Sequence, residues 1–245
     1  MQRSYYTNTI VLNLKPTGES NNSVTLLTPD KGVIFATLYG GPKSKLRSLV
    51  SLWHSGKIWL YENPEKKQTK ISDMEVANYH ITFGQNLFKQ YAASLAAELA
   101  IKTRCGGSPE LCFKLISGFF DGMELCDEEQ SRLGMIRFLW RYLELMGIRP
   151  DSSESLSFAT DAISYYNIVD NCFTWERDEQ STHLIPLKNK SVQYLAAVSE
   201  YSPSEVRKIA IDKTIYEEIK QFVFFLLERN LETELNTIKT GTGIL

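Results

Sequence analysis

Residues 33–48 have the sequence VIFATLYGGPKSKLRS, in which a run of β-branched and aromatic residues leads into a corner and a basic segment. The run 33–39 is typical of a β-strand. Residues 40–42 (GGP) end the strand and bring the backbone to the surface with little side-chain bulk. Many oligonucleotide-binding barrels present such a basic loop between strands, although a merely solvated loop is the alternative. Its cations are Lys43, Lys45 and Arg47.

Further strand-forming runs lie on both sides of this stretch, over residues 6–14, 23–28, 57–62 and 69–76. Short turn-forming segments separate them. Five short strands at this spacing predict a small closed barrel of the OB type, because closure removes exposed strand edges. Strand alternation groups Phe35 with Tyr39 and sets Ile58 and Leu60 against Trp59 and Tyr61, without deciding which face is the core.

From about residue 82 the apolar period becomes helical. The stripe Leu87, Tyr91, Leu95 and Leu99 predicts one helix, two more follow before Gly147 and Pro150, and others are predicted over 189–199 and 212–229. Residues 151–186 show no regular pattern, and the tail at 240–243 is expected to be flexible. The predicted fold class is α+β: a barrel followed by a helical bundle with an irregular, metal-free insertion. The segments are 1–80 (barrel), 81–150 (first part of the bundle), 151–186 (irregular lobe) and 187–245 (helices that complete the bundle).

Charge is distributed unevenly along the chain. The formal net charge is −2, but residues 1–79 hold ten Lys/Arg against six Asp/Glu, and the remainder holds 17 against 23. A basic front on an acidic body suits a head that binds a polyanion. We therefore predict that Lys43, Lys45 and Arg47 contact DNA phosphates, with Lys15, Lys57, Lys70 and Tyr39 as further candidates.

Signals for catalysis, metal and membrane are missing from the sequence. It has no phosphate-binding Gly-rich loop, no nucleophile motif and no metalloprotease motif, and its three histidines have no motif partner. The four cysteines lack the paired spacing of a zinc site or the density of a disulfide framework. The start lacks an apolar signal region, and no run of 18 apolar residues occurs. We expect a cytoplasmic, nucleoid-associated protein that is no enzyme, without cofactor, metal or membrane contact.

The order of these parts resembles the RecO recombination mediators. The likeness covers nearly the whole chain, and each motif alone is only moderately specific. The residues that carry it are 10–12 (IVL), 23–32 (SVTLLTPDKG), 40–47 (GGPKSKLR), 143–150 (LELMGIRP) and 185–187 (IPL).

The resemblance implies a mediator of DNA repair and homologous recombination with an N-terminal OB-fold and no catalytic turnover. Such a protein binds single- and double-stranded DNA and anneals complementary strands. It would contact the acidic C-terminal tail of single-strand-binding protein and, with RecR, help to load RecA onto DNA coated with that protein. Many relatives also carry a four-cysteine zinc finger after the Gly-x-x-Pro that matches 147–150, whereas here only Cys172 remains in that region.

A site for the acidic tail needs an apolar groove flanked by cations. The helices predicted over 85–104 and 128–147 offer such stripes, and Arg137 and Arg141 are one turn apart near Trp140. We therefore expect Arg137, Arg141, Trp140 and Arg132 to bind the tail. Ordinary surface charge pairing with Glu144 and Glu128 is the alternative.

Two other functional classes remain open from the sequence. In the first, the protein is an adaptor whose barrel binds only a protein partner, and the basic loop is incidental. In the second, the acidic helical body carries an unrecognised enzyme. Binding of single-stranded DNA at several salt concentrations separates the first class from a DNA-binding protein.

Overall fold

The computed structural model describes residues 4–41, 44–157, 159–176, 183–231 and 233–245. The chain divides into two compact units. The first consists of Met1–Arg132 with Leu235–Leu245, and the second of Leu133–Glu234.

Five strands of the first unit form a closed barrel. They are β1 (Ser4–Thr17), β2 (Asn21–Thr28), β3 (Gly32–Leu38), β4 (Ser55–Asn63) and β5 (Gln68–Asn78). Their order around the barrel is β1-β2-β3-β5-β4, with β3 and β5 parallel and all other pairs antiparallel. The predicted five-stranded barrel is confirmed, and the strands extend beyond the predicted runs.

The interior of the barrel settles which face of each strand is the core. Ile58 and Leu60 of β4 are buried inside, so Trp59 and Tyr61 between and after them lie on the outside. A short helix, α1 (Lys45–Leu49), follows β3 and packs its apolar side chains against this core. The buried core residues are Val11, Val24, Leu26, Ala36, Leu38, Val50, Ile58, Leu60, Ile71 and Met74.

At Gly56 the backbone of β5 comes close to that of β4. The register shifts between Ser55 and Gly56, which marks a bulge in the pairing with β5. A Cβ atom on Gly56 would lie 2.1 Å from the carbonyl oxygen of Glu75 and 2.8 Å from the nitrogen of Ala77. Only glycine therefore fits at this position of the barrel.

Helices complete the first unit. They are α2 (Leu87–Lys102), α3 (Pro109–Leu125), the start of α4 (Glu128–Leu145) and α8 (Asn236–Thr240). Asn86 caps α2, because its side chain accepts a hydrogen bond from the nitrogen of Lys89 at 2.9 Å. Leu87, predicted on the buried stripe, is instead 57% exposed, because it is the first residue of the helix.

The C-terminal residues 235–245 pack against α2. The carboxylate of Glu98 accepts hydrogen bonds from the nitrogens of Asn236 and Thr237, both at 2.8 Å. Burial raises the pKa of Glu98, but hydrogen bonds from Lys102, Thr237 and Asn236 outweigh it, so the pKa lies below its usual value. Gly241 comes so close to Tyr91 that a Cβ atom would lie 2.8 Å from the ring. Gly241 therefore packs against α2, whereas Thr242 and Gly243 are exposed, and the flexibility of the tail stays a prediction.

The second unit combines helices with a small sheet. Beyond the rest of α4 it contains α5 (Asn189–Glu200), α6 (Pro203–Val206) and α7 (Lys213–Asn230). The strands β6 (Ile163–Asn167), β7 (Cys172–Thr174) and β8 (Leu184–Lys188) form an antiparallel sheet in the order β7-β6-β8. Residues 151–186 are thus more regular than predicted, because strands of three to five residues are too short to give a periodic signal.

A buried polar network around Asn189 holds residues 152–157 and 159–162 against α5. Its Oδ1 accepts a hydrogen bond from Ser164 at 2.8 Å, and its Nδ2 donates to the carbonyls of Ala159 at 2.9 Å and Ser155 at 3.3 Å. Asn189 has no exposed surface. The described residues contain no group of three or more His, Cys, Asp or Glu side chains that could hold a metal ion. The hydrogen bonds of Asn189 therefore link the lobe at residues 151–186 to α5. Folding of this lobe without a metal stays a prediction.

Replacing Asn189 by Ala should lower the free energy of unfolding by about 2–4 kcal/mol, because two buried serines and the carbonyl of Ala159 lose their hydrogen bonds. Chemical denaturation followed by circular dichroism measures the change. Asn230→Ala is the matched control, because that exposed amide bonds only to the carbonyl of Leu226 at the end of α7. Equal stabilities of the two variants would contradict a stabilising role of the polar network around Asn189.

Candidate nucleic-acid interface

A row of paired residues crosses the outside of the barrel. Lys15 of β1 pairs with Ser23 of β2, Ser23 pairs with Thr37 of β3, and Thr37 pairs with Lys70 of β5. Directly paired residues point to the same face of a sheet, so the row lies on one surface. Lys15 and Lys70 are then about 14 Å apart along the sheet, at about 4.8 Å per strand. Pairing thus brings together two cations that are far apart in sequence.

Two aromatic side chains stand beside this row. Phe35 and Tyr39 lie two residues before and after Thr37, and they are 64% and 41% exposed. The amide nitrogen of Gln68 donates to the hydroxyl of Tyr39 at 2.7 Å, and the ammonium of Lys70 lies 5.0 Å from the centre of its ring. Tyr39 is therefore held in place with a lysine over its ring, an arrangement suited to stacking a base beside a phosphate.

The glycine corner leads from Tyr39 into α1. Lys45, the first residue of α1, is exposed. Arg47 is partly buried, and its guanidinium donates to the carbonyl oxygen of Gly40 at 3.4 Å, which directs it back towards the corner. Lys43 lies outside the described residues.

The turn between β4 and β5 adds two cations that the sequence analysis did not select. Lys66 and Lys67 are exposed there, close in sequence to Gln68 and Lys70. Their signal was the Lys-Lys pair two residues after Pro64, which indicates only a turn until the fold places it beside β5. We name this surface the basic face, and its described cations are Lys15, Lys45, Arg47, Lys66, Lys67 and Lys70.

The cations of the basic face are not neutralised by nearby acids. Within the parts of the chain that the structure describes, none of the six forms an ion pair. By contrast, Lys31 on the same barrel binds Glu62 at 2.7 Å. Two exposed carboxylates, Glu19 and Glu65, lie in the turns that border the face. Six uncompensated cations against two acids leave the surface positive and suited to phosphates.

Lys57, the remaining barrel candidate, lies on a different side. It is on β4 and pairs with Asn8 of β1 and with Glu75 of β5. Its ammonium lies 3.9 Å from the centre of the Tyr6 ring.

The structure does not support an open slot beside Trp140. Trp140 has no exposed surface, and its indole nitrogen donates to Ser199 at 3.0 Å. Arg137 donates to the hydroxyl of Tyr194 at 2.8 Å, and Arg141 donates to the carbonyl of Val198 at 3.2 Å. Burial, together with repulsion from Arg137, lowers the pKa of Arg141. These side chains form hydrogen bonds inside the second unit, so they do not form the predicted carboxylate site beside an apolar groove.

Arg132, the fourth residue predicted at that site, belongs to the first unit. Its guanidinium lies 4.3 Å from the centre of the Phe88 ring, and it donates to Glu128 at 2.8 Å and to the carbonyl of Ile244 at 2.9 Å. Arg132 thus forms an ordinary charge pair with Glu128, which was the alternative to tail binding in the sequence analysis.

No arrangement typical of catalysis appears in the part of the chain described. His80 is buried and contacts the carbonyl of Trp53 at 2.7 Å and Asp121 at 3.1 Å, which links the end of the barrel to α3. Burial lowers the pKa of His54, whose Nδ1 contacts the carbonyl of Leu49. Both histidines therefore have structural roles. Among the described helices, none has the length and apolarity needed to cross a membrane.

The fold and the basic face define a class: an OB-type barrel with a cationic and aromatic outer surface, joined to a helical body. Residues 1–80 match the family model described as "Recombination protein O N terminal", and residues 84–237 match "Recombination protein O C terminal". The chain belongs to the RecO family of recombination and DNA repair proteins.

Curated relatives agree with this assignment. The chain is similar to the DNA repair protein RecO of Synechococcus elongatus, with 30% identity over 41% of this chain and 38% of the relative. It is also similar to the proteins of that name from Acaryochloris marina (30% identity over 45% and 38%) and a Cyanothece species (26% over 61% and 52%). The matched regions span between about a third and about half of these relatives.

Proposed function

We propose that this protein is a recombination mediator that binds single- and double-stranded DNA through the basic face of its barrel. It promotes annealing of complementary strands and, with RecR, helps to load RecA onto DNA coated with single-strand-binding protein. Its role is binding and not catalysis, and it is associated with DNA in the nucleoid. One observation carries the proposal: the basic face of an OB-type barrel holds two exposed aromatic rings and six cations that form no ion pair among the described residues.

The position of the basic face supports this function. OB-folds bind oligonucleotides on the face of strands 2 and 3 and with the loops that follow strands 1 and 4. Here β2 and β3 contribute Ser23, Phe35 and Thr37, and the loop after β4 contributes Lys66 and Lys67. Lys66 and Lys67 therefore lie in a loop that such a barrel uses for its ligand, and Lys15 and Lys70 flank its β2–β3 face.

Titration of single-stranded DNA at several salt concentrations tests the proposal. Each neutralised phosphate contributes about 0.7 to the slope of log affinity against log salt for a single strand. Four or more contacts predict a slope steeper than about −2.8. Negligible DNA binding, or affinity independent of salt, would instead favour an adaptor that binds only protein.

The acidic tail of single-strand-binding protein needs a site other than Trp140. The second unit has an apolar cavity of about 360 Å³ beside α5. Lys190 lies at this cavity and is partly engaged by Asp212 at 3.5 Å. We propose that an apolar tail residue enters the cavity and that its acidic neighbours bind Lys190. The apolar lining includes Leu156, Tyr194, Ala197, Tyr201, Ile209 and Ile211.

Lys190→Glu should weaken binding of a fluorescent acidic-tail peptide about tenfold, because an attractive charge becomes repulsive. Fluorescence anisotropy measures the affinity. Lys114→Glu is the matched control, since that exposed lysine lies in the first unit. If both variants bind the peptide equally, the tail does not use this cavity. Variants of Arg137 or Arg141 are poor probes, because they break internal hydrogen bonds.

A further inference from the structure

A second cluster of aromatic and basic side chains lies on the outside of β1 and β4. It consists of Tyr6, Lys57 and Trp59, and we call it the β1–β4 platform. Tyr6 and Trp59 are paired across the two strands, with ring centres 6.3 Å apart and planes inclined by 47°. The ammonium of Lys57 lies 3.9 Å from the centre of the Tyr6 ring and 5.4 Å from that of Trp59.

The platform is not part of the barrel core. Its neighbours along β4, Ile58 and Leu60, are the ones that point inward, and they are essentially inaccessible. Tyr6 is 62% exposed, although a tyrosine ring carries a large apolar surface. Lys57 has no ion-pair partner among the described residues. An exposed tyrosine ring and a partly exposed tryptophan ring, beside an ammonium without an ion pair among the described residues, form a surface for a ligand that has flat faces and negative charge.

The platform continues the basic face around the barrel. Lys70 of the basic face pairs with Tyr61 of β4, and Tyr61 lies two residues from Trp59 on the same outer face. Neighbouring side chains on this outer surface therefore follow each other in the order Lys70, Tyr61, Trp59 and Tyr6. Because directly paired side chains are about 5 Å apart and alternate residues of a strand about 7 Å apart, the steps suit successive nucleotides of an extended strand.

We propose that the β1–β4 platform is a second single-strand site, in which nucleobases stack on Tyr6 and Trp59 while Lys57 binds the adjoining phosphate. This inference rests on the proposed function and extends it to a surface outside the basic face. A strand that follows the path from Lys70 would leave the hydrogen-bonding edges of its stacked bases unpaired, as annealing requires. Duplex DNA has no free base faces and gains no stacking from the platform.

Charge separates the platform from the basic face. On β5, Asp73 pairs with Trp59 and Glu75 pairs with Lys57, so the platform is not a cationic surface. Its contribution to affinity must come mainly from stacking, with one phosphate contact from Lys57. The two surfaces therefore make different predictions: loss of platform rings reduces affinity without reducing the salt slope, whereas loss of basic-face cations reduces both.

The test compares an oligothymidine strand with an abasic strand of the same length, which has equal phosphates and no bases. Wild-type protein should prefer the base-containing strand, and Tyr6→Thr/Trp59→Thr should reduce that preference about tenfold or more with an unchanged salt slope. Threonine is chosen because it favours strands. Lys57→Ala should lower the single-strand slope by about 0.7 on both oligonucleotides. Tyr6→Phe/Trp59→Phe keeps the rings and should keep the preference.

Two outcomes would overturn the inference. If the folded threonine variant keeps the base preference of the wild-type protein, the bases stack elsewhere. The same conclusion follows if the phenylalanine variant loses that preference. If wild-type protein binds neither strand, the proposed function fails together with this site. Tyr165→Thr, which removes a partly exposed ring from β6 of the second unit, serves as the control and should bind as wild type.

Discussion

A variant in which Lys15, Lys45, Arg47 and Lys70 are all replaced by Ala should lose most of its DNA affinity. Four phosphate contacts lower the salt slope by about 2.8 for single strands and about 3.6 for duplex. Near 0.1 M salt this corresponds to a loss of about three to four orders of magnitude. Fluorescence anisotropy with labelled DNA at several salt concentrations measures both quantities. Lys43 adds a fifth candidate from the same basic segment.

The control removes the same charge from elsewhere. Lys114, Lys188, Lys208 and Lys213 are exposed and lie outside the barrel. Their replacement by Ala changes the net charge equally, so any effect of total charge appears in both variants. If the control loses as much slope as the basic-face variant, the contact surface is wrongly placed.

Replacing Gly56 by Ala should cost the barrel at least about 3 kcal/mol of unfolding free energy. The added methyl group would lie 2.1 Å from a backbone oxygen of the paired strand, and a backbone atom cannot move aside as a flexible side chain can. Denaturant titration followed by circular dichroism gives the change.

Gly118→Ala provides the comparison for Gly56. It lies within α3, and a Cβ atom there would meet nothing within 4 Å. That change should be neutral or slightly stabilising, because alanine favours helices. A Gly56→Ala protein with the stability of the control would show that the strands separate more easily at the bulge than their pairing indicates.

Local patterns were sufficient for the barrel, but the surfaces needed the fold. Alternation along β4 separated Ile58 and Leu60 from Trp59 and Tyr61, yet both groups are apolar enough for a core. The buried contacts with Leu26 and Ile71 decide between them. The meeting of Lys15 with Lys70 depends on three strand pairings and a parallel closure, which no local pattern encodes.

The wrong arrangement at Trp140 has a related cause. Helical spacing correctly aligned Arg137 and Arg141 with Trp140 on one side of α4. The sequence could not show that α5 covers this side and supplies the hydroxyl of Tyr194 and the carbonyl of Val198. Spacing gives the face of a helix, whereas its accessibility depends on which element packs there.

The first unit is built from two separate stretches of the chain, so its parts become available at different times during synthesis. The chain leaves this unit after Arg132 and returns only at Leu235, so about a hundred residues of another unit intervene. As the protein emerges from the ribosome, the barrel, α2 and α3 appear early. The nitrogens of Asn236 and Thr237, which Glu98 binds, are made only after the whole second unit. Synthesis of the barrel-bearing unit therefore starts before that of the second unit and is completed after it.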